Sequence, residues 1–150
     1  MLSTPGATVL IIEDNRILAT LLTRMLEAEG HAVRAVHDGR AGLKIALQEE
    51  PDLVLLDIGL PKANGLTIAR TLRERGLRVP EDISVIGFDD IPEAGYLFPP
   101  LTTVRQDFGV FGELIMQKVL IAIEESAPLT EDTPIPTHLI LRQSTRAVQT

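Results

Sequence analysis

The chain has 150 residues, of which 45% are hydrophobic and 23% are charged, with 11 Gly and 10 Pro. This composition is typical of a folded protein, and the length allows one domain with a full hydrophobic core but not two of ordinary size. The formal net charge of −7 argues against nucleic-acid binding. The absence of cysteine excludes disulfides, thiolate catalysis and cysteine-based zinc sites.

Nothing in the sequence indicates a membrane or a secretory route. No apolar run reaches the roughly 18 to 20 residues that cross a bilayer, and the N-terminus MLSTPGATVLIIED lacks the basic start of a signal peptide. We therefore expect a cytoplasmic protein with neither membrane nor nucleic-acid partners.

Predicted strands and helices alternate along the first half. Residues 8–13 form a nearly continuous apolar, β-branched run, typical of a parallel strand covered on both faces. The predicted elements in order are strand 8–13, helix 15–29, strand 31–36, helix 41–47, strand 53–57 and helix 65–75.

The second half continues this alternation. Its predicted elements are strand 83–88, a helical turn at 93–97, strand 101–105, helix 106–125, a loop over 126–136 and strand 137–144. The helix at 106–125 carries too many apolar residues for one face, so some must be exposed or covered by a partner. We expect it to pack in the core of a monomer, with a homodimer through residues 107–125 as the alternative.

Alternating strands and helices indicate right-handed βαβ units. We infer a single α/β domain over residues 1–150, a flavodoxin-like three-layer sandwich. Its sheet is expected to be mostly parallel, with strand order 2-1-3-4-5 and a sixth strand at the edge. In such sheets, ligands bind at the carboxyl ends of the strands where the order reverses, which selects Glu13, Asp14 and Asp57.

Three carboxylates at one end of a buried sheet repel one another unless a cation or hydrogen-bond donors offset their charge. Oxygen ligands with room for water suit Mg²⁺. The alternative is structural: Glu13 and Asp14 would only cap the following helix, and Asp57 would be an ordinary loop acid.

Residues 8–73 resemble a two-component response-regulator receiver domain, through the strings VLIIEDN, VHDGRAGL and PDLVLLDIGLPKANGL. The resemblance implies that Asp57 is the phosphoacceptor, that Glu13 and Asp14 help to bind Mg²⁺, and that the Gly59 backbone carbonyl is a further ligand. Asp57 would then attack a phosphohistidine or a small phosphodonor.

The chain departs from the receiver pattern at two positions. Receivers carry a Ser or Thr at the end of the fourth strand and a Lys at the end of the fifth. This sequence has Phe88-Asp89 and Arg105-Gln106 there. We expect Arg105 to replace the lysine charge only in part, so that Mg²⁺ binding survives while phosphorylation is weak.

From about Leu72 to Arg146 the sequence resembles the C-terminal part of lac-repressor-family effector domains, which have the type I periplasmic-binding-protein fold. The matching strings are LRERGLRVPEDISVIGFDDIP, YLFPPLTTVRQDFGVFGE and HLILRQST. The resemblance implies that Asp89 is an effector contact, and we take Asp89 and Arg105 as the candidate ligand-binding residues. Because the sequence contains one lobe of that cleft, we expect Asp89 to be solvated instead.

These resemblances divide the domain into a receiver-like segment at 8–73 and a periplasmic-binding-protein-like segment at 74–146, joined within helix 65–75. We interpret the chain as an engineered chimera that is not an enzyme, has no selected function and retains a partial Mg²⁺ and phosphoacceptor site. Two alternatives stay open: a working receiver phosphorylated on Asp57, and a module that binds a sugar or purine.

Overall fold

Six strands form one sheet in a computed structural model that describes residues 6–60, 65–125 and 137–147. Residues 61–64 and the predicted loop at 126–136 lie outside the described residues. The strands are β1 (Thr8–Ile12), β2 (Ala32–Val36), β3 (Leu53–Leu56), β4 (Ser84–Phe88), β5 (Thr102–Gln106) and β6 (Thr137–Ile140). Their order is β2-β1-β3-β4-β5-β6, which confirms the prediction.

The first five strands are parallel and β6 runs antiparallel to β5. β6 ends at Ile140, although the sequence predicts a strand to residue 144. The reason lies at Ser144, whose hydroxyl donates to the Val85 carbonyl at 2.6 Å and accepts from the Thr102 N–H at 2.8 Å. The segment after β6 therefore binds the starts of β4 and β5 and does not extend the ladder.

Four α-helices and one short 3₁₀ turn connect the strands. They are α1 (Arg16–Ala28), α2 (Gly39–Glu49), α3 (Gly65–Glu74), the turn at Pro92–Tyr96 and α4 (Phe108–Glu125). The Asn15 side chain accepts from two N–H groups at the start of α1, and Asp38 does the same for α2, as N-cap residues do. Gly76 follows α3 with a φ of +99°, which glycine adopts without steric cost.

The main hydrophobic core lies between the sheet and helices α2 and α3. Its fully buried members include Ile12 on β1, Val54 on β3, Leu72 on α3 and Val85 on β4. α1 packs on the opposite face, where Ala19 is buried. Helices on both faces give the three layers predicted from the sequence.

α4 does not join this core, so the expectation that it packs there is wrong. None of its described side chains is buried. Only Asp107 separates the end of β5 from the start of α4, whereas the connections that turn a helix back onto a sheet usually need two to about six residues. So short a link leaves little room to turn the helix back onto the sheet. No described helix has the length and apolarity to cross a membrane.

Candidate metal centre

Glu13, Asp14 and Asp57 lie together at the carboxyl end of the sheet. Ile12 and Leu56 are in register on the neighbouring parallel strands β1 and β3, so the residues that follow them emerge side by side. One carboxylate oxygen from each of the three acids lies within 4.8 Å of the others. The structure thus brings together the three carboxylates selected from the sequence.

Backbone hydrogen bonds fix where these acids leave the sheet. The Glu13 N–H donates to the Val36 carbonyl and the Asp57 N–H to the Ile12 carbonyl, both at 3.0 Å. One Asp57 oxygen accepts from the Gly59 N–H at 2.8 Å. Gly59 is therefore beside the predicted phosphoacceptor and contacts it through its peptide group.

Negative charges act on one another within this cluster. Glu13 is only 9% exposed, and burial raises its pKa, as do the charges of Asp57, Asp14 and Asp89, although the Asn15 N–H opposes the shift. A cation at this end of the sheet would remove the repulsion. The residues therefore fit Mg²⁺, which takes oxygen ligands and keeps several waters.

Asp89 is a fourth acid of this cluster. Burial and the charge of Asp57 raise its pKa. Its backbone has a φ of +71°, and its carboxylate accepts from the Gln106 side-chain amide at 3.4 Å. The position where a receiver carries a hydroxyl donor thus holds a negative charge close to Asp57.

Arg105 binds a different acid from the one that the receiver resemblance suggests. Its Nε donates to the Asp90 carboxylate at 2.7 Å, and Asp90 also accepts from the Thr103 hydroxyl at 2.6 Å and pairs with Arg142 at 2.7 Å. The Asp90 side chain is 2% exposed. Burial alone would raise its pKa, but these donors outweigh burial and lower it.

The Asp90 network was not predicted. Its sequence signal is the doubled acid Asp89-Asp90 after strand 83–88. Thr103 and Arg105 alternate on β5 and therefore point to the same face, which a prediction of the strand alone could have shown. Arg142 lies beyond β6, and its pairing with Asp90 can be recognised only once the strand order is known.

A separate cleft lies away from these acids. It has a volume of about 480 Å³ and runs between α3 and the segment 96–101. The Arg73 guanidinium stacks over the Phe98 ring, 4.1 Å from its centre. Asp89, the residue suggested as an effector contact, does not line this cleft and lies in the acidic cluster.

Comparison with known proteins gives relatives of two kinds. The ribose operon repressor of Bacillus subtilis is 41% identical over 92 residues, which are 59% of this chain and 28% of the repressor. The alkaline phosphatase synthesis transcriptional regulatory protein PhoP of the same species is 39% identical over 72 residues, 48% of this chain and 30% of that protein. The chain thus spans less than a third of the length of these relatives.

Solved structures show the same two likenesses. A LacI family transcriptional regulator from Bifidobacterium animalis subsp. lactis superposes with a TM-score of 0.76 over 93% of this chain and 55% of its own, at 21% identity. The receiver domain of the sensor histidine kinase PA1611 from Pseudomonas aeruginosa PAO1, which has a magnesium ion in its active site cleft, superposes with a TM-score of 0.51 over 61% of this chain and 74% of its own, at 25% identity.

The fold and the acidic strand ends define a three-layer α/β domain with receiver-like carboxylates. The family model for a periplasmic binding protein-like domain matches residues 19–145. The chain belongs to this family. It also resembles response-regulator receivers, as the sequence predicts.

Proposed function

We propose that the chain is an engineered chimera that binds Mg²⁺ through receiver-derived acids but does not work as a phosphorylation switch. The observation that carries the proposal is the mixed composition of one site. Glu13, Asp14 and Asp57 cluster as Mg²⁺ ligands should, whereas Asp89 and the Asp90-bound Arg105 occupy the positions of the other receiver residues.

Glu13, Asp14 and Asp57 would hold the ion. When bound, Mg²⁺ would neutralise charge on a phosphoryl group that is transferred to Asp57. The relative with magnesium in its active site cleft is a receiver domain, which supports the same choice of metal here. Gly59 orients Asp57 through its N–H and, by the resemblance, would add its carbonyl to the ligands.

Two features oppose an effective switch. By the resemblance, Asp89 places a carboxylate where a phosphoryl oxygen would need a hydroxyl donor. The charge of Asp57 raises the pKa of Asp89, because like charges repel. Arg105 already pairs with Asp90, so turning towards Asp57 would leave a buried acid with one cation fewer. Removing a partner from a buried ion pair costs several kcal/mol.

A chimeric origin accounts best for this mixture. The receiver-like and periplasmic-binding-protein-like segments would meet within α3, between Ala69 and Arg75. The 480 Å³ cleft lies along α3, and its other wall is formed by residues of the second segment. Incomplete contact between two halves that were not selected together would leave such a cleft at the surface.

Thermal unfolding with and without Mg²⁺ tests the metal site. A ligand that binds only the folded state stabilises it by mass action, by about 1.4 kcal/mol at ten times Kd. We expect Mg²⁺ to raise the Tm of the wild type and of Glu27→Gln, an exposed acid on α1, but not of Glu13→Gln or Asp57→Asn. Equal Mg²⁺ effects on all four proteins would contradict the proposal.

A further inference from the structure

α4 presents an unusually large apolar surface. Its exposed apolar side chains are Phe108, Val110, Ile115, Met116, Val119, Leu120, Ile121 and Ile123. Together they expose roughly 800 Å², which is about what each partner buries in a protein interface of standard size. A monomeric soluble protein rarely leaves so large a contiguous apolar patch in water.

The same chain has an apolar sheet face that is only partly covered. Leu55 is in register with Ile86, Phe88 with Val104, and Val104 with Leu139, so these five side chains share one face. The first four are half-buried and Leu139 is exposed. Within the described chain, α1 is the only helix seen to pack on this face, and it does so beside β1.

Both surfaces are apolar, so each can bury the other. A helix laid across β3, β4 and β5 beside α1 would complete the outer layer of the sandwich, and α4 is a helix with the apolar surface to do so. Within its own chain none of the described α4 side chains is buried. Asp107 is the single linking residue, and its carboxylate and carbonyl already accept from the N–H groups of Val110 and Phe111, so helical bonding starts directly at the strand end.

We propose that a second copy of this chain supplies the missing layer, in a reciprocal homodimer. In this dimer, α4 of each chain packs on the sheet face formed by Leu55, Ile86, Phe88, Val104 and Leu139 of the other. The exchange buries both surfaces without lengthening the link at Asp107. The roughly 800 Å² offered by each α4 meets the area requirement of a stable interface.

The mass of the protein in solution tests this proposal, with a matched pair of variants. Met116 on α4 and Met25 on α1 are both 59% exposed. We expect light scattering to give about twice the chain mass of 16.4 kDa for the wild type and for Met25→Glu. Dimerisation of Met116→Glu should be at least about tenfold weaker, because a charge would enter a desolvated interface. Circular dichroism confirms that each variant is folded.

A wild type that stays monomeric at high concentration would overturn the proposal, as would Met116→Glu and Met25→Glu with equal dimer stability.

Disulfide trapping then tests the exchange, since the chain has no cysteine of its own. Three variants with one cysteine on α4 are each mixed with Leu139→Cys and oxidised; they are Val110→Cys, Met116→Cys and Ile123→Cys. A disulfide between α4 of one chain and Leu139→Cys of another supports the exchange. Disulfides that form only between α4 helices overturn it.

Discussion

Replacing Asp90 with Asn should destabilise the fold far more than the same change at the neighbouring Asp89. Asp90 is 2% exposed and holds Arg105, Arg142 and the Thr103 hydroxyl. Its φ is +47°, a region that Asn tolerates well, so the change removes the charge without adding backbone strain. What remains is a pair of arginines, Arg105 and Arg142, that have lost their buried counter-ion.

The expected cost follows from that loss. Removing one partner of a buried ion pair costs about 3–5 kcal/mol. Because the Arg105 side chain is 53% exposed and water can solvate it, we expect the low end, about 3 kcal/mol. In a domain of this size, this is equivalent to lowering the Tm by roughly 6–12 °C. Urea unfolding at neutral pH measures the change directly.

Asp89→Asn is the matched control. Asp89 also has a positive φ, but its carboxylate lies in the acidic cluster and is bonded only weakly, by Gln106 at 3.4 Å. Neutralising it relieves repulsion from Asp57, so we expect stability to be unchanged or higher. Equal losses for the two variants, or a larger loss for Asp89→Asn, would refute this account of the two acids.

Three further predictions concern stability and the site. Acidification from about pH 7 to about pH 5 should stabilise the metal-free protein, because the raised pKa values of Glu13 and Asp89 mean that the folded state binds protons more tightly than the unfolded state. In urea titrations, Glu13→Gln should reduce this gain. Below about pH 4 the stability should fall, since Asp90, whose pKa is lowered, becomes protonated. Leu72→Ala should cost about 2–5 kcal/mol in urea unfolding, since Leu72 is fully buried, and Leu21→Ala, at an exposed position of α1, should cost far less. Asp89→Ser should raise the yield of phosphorylation by a small acyl phosphate, measured by intact mass, because it replaces a repelling charge with a hydroxyl; an unchanged yield would count against the role given to Asp89.

The sheet was predictable because its signals are local. Continuous apolar runs mark β1 and β3, and Asn15 and Gly30 bound α1. The alternation of strands and helices then leaves few possible topologies. The three site acids followed from this order alone, since Glu13 and Asp57 end neighbouring strands.

The errors concern contacts between segments distant in sequence. The apolar content of α4 predicted a buried helix, but none of its described side chains is buried. The single linking residue Asp107 limits where the helix can pack, and apolar counts carry no information about this limit. The early end of β6 depends on Ser144 reaching Val85, a contact over 59 residues of chain. Likewise, the ion pair between Asp90 and Arg142 could not be predicted, because the two residues become neighbours only through the strand order.

Intact mass after treatment with a small acyl phosphate and Mg²⁺ tests the central claim most directly. The site keeps the Mg²⁺ acids Glu13, Asp14 and Asp57 but has Asp89 in place of a hydroxyl donor and an Arg105 that is bound to Asp90. We therefore predict that at most a minor fraction of the chain gains one phosphoryl group. A quantitative gain that disappears in Asp57→Asn would contradict the claim and identify a working phosphoacceptor.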